Sequence, residues 1–191
     1  MLFRSLMLAL GAGMIGQDVS SGVLQLLCAR PVRRSEYVLS RWMGVALAGI
    51  GISLVQLAIA SAFLAARGFA PPPQQMALFA ATRTLECVGL AAVLALLSSL
   101  IGGLGDLALY LLAGLAGNAL SLASQVKQWT WLHRIAAQFM ESLTPTIDLH
   151  RLLMTTPMPW FPIVAYASTV ALCLALAIVV VNRKELSYAS G

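Results

Sequence analysis

The sequence predicts an all-α, polytopic transmembrane helix bundle, and three observations predict it. Of the 191 residues, 60% are hydrophobic and only 10% charged, with a mean hydropathy of +0.87. Soluble domains carry about 25% charged residues, so the departure is large. Four charge-free runs, 42–66, 87–105, 107–126 and 160–182, approach or exceed the ~20 residues that cross roughly 30 Å of hydrocarbon as a helix. None of them alternates with period two, which excludes a β-barrel.

Composition excludes other classes too. Residues 1–191 leave room for one membrane domain and no separate soluble one. The net charge of +5 does not imply nucleic acid, because basic residues in such chains set topology and meet anionic headgroups. Cys28, Cys87 and Cys173 are odd in number and far apart, which excludes a disulfide framework or a CxxC metal site. The opening "MLFRSLMLALGAGMIG" has the look of a signal peptide. No small-x-small site followed by a soluble mature chain comes next, so its retention is expected.

In chain order, the apolar stretch 5–16 comes first. It reaches only roughly 18 Å as a helix, so it is a partial span or a re-entrant piece. A polar elbow, 16–44, leads into the span 42–66. "RGFAPPPQQ" (67–75) is a loop that its prolines force out of helix. The second full span, 78–105, carries Arg83 and Glu86 before its charge-free part. "GGLGD" (102–106) turns the chain sharply, with Asp106 at the rim, into the span 107–126. In 127–159, Leu132, Ile135, Ala136, Phe139, Met140 and Leu143 recur at helical spacing. That spacing predicts an amphipathic helix on the membrane surface or over the bundle. Trp129, Trp131 and Trp160 bracket it as interfacial anchors. "SLTPTIDLHRLL" restarts a short helix after Pro145, and 160–182 is the last span.

Charge sets orientation by a narrow margin. With the elbow and the C-terminus cytoplasmic, that side holds Arg30, Arg33, Arg34, Arg41, Arg183 and Lys184. The other side holds Arg4, Arg67, Lys127, Arg134 and Arg151. The positive-inside rule favours this placement by one residue and by the clustering of four arginines in one loop.

The elbow "GQDVSSGVLQLLCARPVRRSEYVLSRWMG" has three parts. "QDVSSG" ends the first apolar run. "VLQLL" puts Val23, Leu24, Leu26 and Leu27 on one face, too short to span and too apolar for water. Pro31 then breaks the helix, and Ser35 is the expected cap of the next one, which runs through Tyr37 and Arg41 into the span. Two readings fit: a surface helix whose arginines bind headgroups, or a docking helix for a soluble partner.

The order Asp18, Gly22, Leu24, Leu26, Leu27, Pro31, Val32, Arg34, then Arg41 one turn before a span, resembles the permease subunits of ATP-binding-cassette exporters of the second type. "LTPTIDLHRLL" (143–153) before the last span and "NRKEL" (182–186) after it are weaker echoes. The resemblance covers nearly the whole chain. Arg33 departs from it, standing where the family more often has serine, and four full spans with a fragment stand where it usually has six. The expectation is a permease domain truncated at its N-terminus, lacking the first span.

The resemblance implies an integral plasma (inner) membrane protein with a cytoplasmic coupling helix and short extracytoplasmic interfacial helices. Two permease subunits, as a homo- or heterodimer among membrane lipid, would be driven by cytosolic ATPase subunits. Asp18, Gly22, Leu24, Leu26, Leu27, Pro31, Arg33, Arg34 and Arg41 would form the ATPase contact. The chain has no GxxxxGK[ST] loop, so ATP and Mg belong to the partner and no cofactor is expected here. It is expected to be a transport subunit and not an enzyme. The alternative is a non-catalytic membrane scaffold or assembly subunit.

An intramembrane enzyme fits less well. Both histidines, His133 and His150, lie outside the spans, and Asp18 and Asp106 are far apart. His133, Glu141, Asp148 and His150 lack metal-ligand spacing and read as solvated faces. Arg83 and Glu86, three apart, read as a pathway or gate lining or as a self-neutralising pair near the interface. Gly44, Ala48, Gly49 and Gly51, with Gly114 and Gly117, offer small faces, for packing within the chain or between permeases.

Overall fold

The structure, a computed structural model, describes residues 2–11, 14–15, 18, 33–69, 72–101, 105–127, 130–147, 149–154 and 160–183. Seven helices occur among them and no strand: α1 (Leu2–Gly11), α2 (Arg34–Ala66), α3 (Pro73–Leu100), α4 (Gly105–Lys127), α5 (Thr130–Leu143), α6 (Leu149–Met154) and α7 (Trp160–Arg183). Four of them, α2, α3, α4 and α7, are long and apolar enough to cross a membrane.

The ends of α2 and α3 follow local chemistry. α2 stops in a Schellman motif: Gly68 N–H donates to Ala65 O and Phe69 N–H to Leu64 O, each at 3.0 Å. Gly68 takes φ 81°, a left-handed conformation that favours glycine. Pro73 is the first residue of α3 rather than part of the loop. A fixed φ suits a first-turn position, where the missing N–H has no helical partner. At its other end α2 begins at Arg34, with Arg33 as an extended cap residue that makes no side-chain cap bond. Ser35 is therefore inside the helix and does not cap it. The second span also stops earlier than 105, at Leu100.

α3 is the central element, flanked by α1, α2, α4, α6 and α7. Half of its most apolar stretch is buried, against 6–17% for the other three spans. α2 runs antiparallel to it: Trp42 Nε1 donates to Val88 O at 3.2 Å, and Tyr37 and Val38 share a core with Ala95. α7 runs parallel to it: the Tyr166 hydroxyl donates to Leu85 O at 2.6 Å, and Ala177 joins that same core further along.

The short first helix packs against α2 and α3 through its second half. Met7 packs with Cys87, Leu90 and Leu94. A Cβ at Gly49 would overlap the Met7 thioether, and one at Gly11 would overlap the Leu94 side chain. Past α1, Ile15 N–H donates to Ser98 Oγ at 2.9 Å. α1 thus descends alongside the second half of α3. In lipid such contacts hold helices together by van der Waals fit, since burial away from water is no longer at stake.

Several hydroxyls within the spans are satisfied inside their own helix. Ser53, Ser99, Ser124, Thr82 and Thr169 donate to carbonyls three or four residues back in their own helices. That removes the cost of an unmade bond in hydrocarbon. Asp106, the second residue of α4, is wholly buried and its Oδ1 accepts the Leu107 N–H at 2.7 Å.

In the 127–159 region α5 and α6 form, separated at Pro145. Ala136 is buried and Leu132 and Leu143 half-buried, whereas Ile135 and Phe139 face outward. The corner between the two helices enters the bundle. A Cβ at Gly89 would lie 2.8 Å from Pro145 O and 3.1 Å from Tyr166 Cε2. Gly89 is roughly 24 Å along α3 from Pro73 at 1.5 Å per residue, so Pro145 reaches the middle of that helix. Trp131 and Trp160 are exposed.

Candidate functional site

The predicted elbow residues divide. Gly22, Leu24, Leu26, Leu27 and Pro31 lie outside the described residues, so the expected coupling helix is not described. Asp18, Arg33, Arg34 and Arg41 are described, and three of the four make long-range contacts.

α2 has 33 residues, about 50 Å as a helix, against roughly 30 Å of hydrocarbon. The excess falls on its polar first turns, which hold Arg34, Ser35, Glu36, Tyr37, Ser40 and Arg41. These turns are tied down twice. Arg41 forms an ion pair and hydrogen bond with Asp18 Oδ2. The Tyr37 hydroxyl donates to that same oxygen at 2.6 Å, and the Arg41 guanidinium lies 5.8 Å from the Tyr37 ring centroid. Tyr37 and Arg41 share a face because they are four residues apart. Asp18 therefore clasps the first two turns of α2.

The second tie runs to the last span. Arg34 Nη1 donates to Asn182 O at 3.0 Å and to Val181 O at 3.3 Å. The last carbonyls of a helix have no donor within it, and a cation there also opposes the helix dipole. Beneath this tie, Val38, Ala177, Val181, Ile15 and Met14 form one buried cluster. Asp18, α2 and α7 are thus tied together at one end of the bundle. Arg33 is exposed beside them.

Arg83 and Glu86 pair as their spacing predicts, Nη1 to Oε2 at 2.7 Å. The Arg83 guanidinium also lies 4.8 Å from the Phe79 ring. The pair is far from the elbow, nearer the Arg67 end of α2. Arg83 lines a cavity of about 190 Å³ with Ser53, Gln56, Leu57, Ala60 and Phe79. A larger cavity of about 450 Å³ lies between the α5–α6 corner and α7, walled by neutral groups including Gln138, Thr146, Phe161 and Tyr166.

Cys87 and Cys173 are free thiols. Among the described residues no group of three or more His, Cys, Asp or Glu side chains comes together. The side chains of His133, Glu141, Asp148 and His150 lie outside the described set. Of the small residues, Gly49 and Gly117 are buried, whereas Gly44, Gly51 and Gly114 meet nothing within 4 Å.

Sequence reasoning missed Tyr37, Ser53 and Gln56. Tyr37 carried a signal, its four-residue spacing from Arg41. Ser53 and Gln56 carried one too, as polar residues three apart within an apolar span.

Fold and site together define a chain whose described elements are all helices, four of them long and apolar enough to cross a membrane. No protein-family model, curated protein or solved structure matches it.

Proposed function

We propose that this chain is the membrane-spanning permease subunit of an ATP-binding-cassette exporter of the second type. It forms the export pathway with a second permease subunit in the plasma (inner) membrane. Segment 16–33 and the Arg183 end of α7 face the cytoplasm, and separate ATPase subunits supply ATP and Mg. The observation that carries the reading is the double attachment of the first turns of α2, to Asp18 through Arg41 and to α7 through Arg34. A permease without its own phosphate loop must receive work mechanically. Displacement of segment 16–33 passes through the Asp18 clasp into α2, and through Arg34 into α7, so both spans tilt together. That is the rigid-body motion alternating access requires.

The test looks for a phosphate-loop ATPase encoded beside this chain and co-expresses it with the tagged chain; absence of such a neighbour favours the scaffold reading. The ATPase is expected to co-purify with the wild-type chain. The pair Leu27→Asp and Arg34→Glu should abolish that association while the chain remains in the membrane. Co-purification unchanged by the pair removes the docking role of segment 16–33. Failure of the wild-type chain to retain any ATPase favours a non-catalytic scaffold subunit instead.

A further inference from the structure

Arg83 stands roughly 15 Å along α3 from Pro73, within a helix apolar enough to span. An ionisable side chain at that depth is costly and faces the bundle or a polar cavity. Here it forms one wall of the 190 Å³ cavity between α2 and α3, a mostly apolar cavity to which Ser53, Gln56 and Arg83 bring the polar groups. Glu86, 7% exposed, and the Phe79 ring hold the guanidinium in place. A guanidinium carries five N–H donors in a plane, so Arg83 can serve Glu86 and the cavity together. Its geometry matches the paired oxygens of a phosphate or carboxylate. Across the cavity, the Gln56 carboxamide offers two more donors.

Apart from Ser53, the rest of the wall is apolar. Leu57 and Ala60 continue the α2 face beyond Gln56, and Phe79 faces them from α3. Further along α2, Phe63 and Leu64 are exposed. A polar, cationic floor that opens onto an apolar surface fits a ligand of the same asymmetry.

We propose that this cavity binds the phosphate or carboxylate group of an anionic amphiphile. Arg83 and Gln56 donate to its oxygens, and its apolar chain leaves along α2 past Leu57 and Ala60. The site needs only this chain, so it stands or falls apart from the permease reading.

The experiment titrates the purified full chain in detergent with dioleoylphosphatidic acid, oleate, dioleoylphosphatidylcholine or inorganic phosphate, bound ligand being read by native mass spectrometry. One phosphatidic acid or oleate is expected to bind per chain, ahead of phosphatidylcholine. Arg83→Gln should weaken that binding about tenfold, the loss of a charge-assisted contact. Arg83→Lys should weaken it less. Leu57→Phe, which fills the cavity and leaves the ion pair intact, should weaken it as well. Displacement of the lipid by millimolar phosphate would mean a site for the free anion and overturn the amphiphile. Resistance to phosphate supports one that takes the headgroup with its chain. Phosphatidic acid and oleate bound equally well by wild type and Leu57→Phe, or no better than phosphatidylcholine, overturn the proposal.

Discussion

Arg34 donates through its guanidinium to the main-chain oxygen of Asn182 at 3.0 Å, across 148 residues of sequence. This bond joins the first turn of α2 to the last turn of α7. It gives those carbonyls the donor that their own helix cannot supply.

Arg34→Gln should therefore loosen the end of α7. Hydrogen exchange in detergent is expected to quicken for the last-turn amides by about fivefold, the factor that about 1 kcal/mol represents. Amides near Tyr166, anchored on Leu85 at the other end of α7, should be unchanged. Uniform quickening along α7 would mean that Arg34 supports the whole fold and not this junction.

The Asp18 clasp makes a second prediction, about coupling. Asp18→Asn and Arg41→Gln, singly and together, should be non-additive in unfolding by sodium dodecyl sulfate. The interaction energy should be modest, about 0.5–1 kcal/mol, because the Arg41 side chain is 44% exposed. Tyr37→Phe should cost about 1 kcal/mol by removing the hydroxyl bonded to Asp18. Strict additivity of the two charge variants would break the link between segment 16–33 and α2.

Gly89 and Gly44 make a contrasting pair. A Cβ at Gly89 meets Pro145 O at 2.8 Å and Pro145 Cγ at 2.9 Å, whereas at Gly44 it meets nothing within 4 Å. Gly89→Ala is expected to destabilise by about 1–3 kcal/mol through overpacking, and Gly44→Ala to change stability by less than about 0.5 kcal/mol. The unfolding midpoint in detergent checks both. Equal effects would argue that the α5–α6 corner does not reach the middle of α3.

Much of this fold can be read from the sequence, and the exceptions have physical causes. The spans 42–66 and 160–182 match the far end of α2 and nearly all of α7, because a charge-free run and a glycine or charged stop are local signals. The start of α2 is less legible. Residues 34–41 are polar, and the cap rule points to Ser35, yet Arg34 is already helical, its guanidinium held from outside by the Val181 and Asn182 carbonyls of α7. Pro73 reads as loop from the run of prolines, although only its place at the first helical position matters. The depth of Pro145 has no local signal at all, since it depends on the missing side chain of Gly89 on another helix.

The site shows the same division. The Arg83–Glu86 pair is readable because both partners sit on one helix face, three residues apart. The cavity beside it is not, because Ser53 and Gln56 reach Arg83 only once α2 and α3 pack antiparallel. Asp18, Arg34 and Arg41 were singled out by a resemblance in the elbow, and the structure gives the described three definite partners. The permease reading puts segment 16–33 against an ATPase subunit, and that contact is its central claim.

Site-directed photo-crosslinking tests that contact most directly. A photoreactive residue is placed at Arg33, exposed beside the α2–α7 tie, or at Phe69, exposed at the opposite end of α2. The two chains are illuminated in membranes that hold the neighbouring ATPase. The permease reading predicts a crosslink to the ATPase from position 33 and none from position 69. No crosslink from position 33, or equal crosslinks from both, would contradict it.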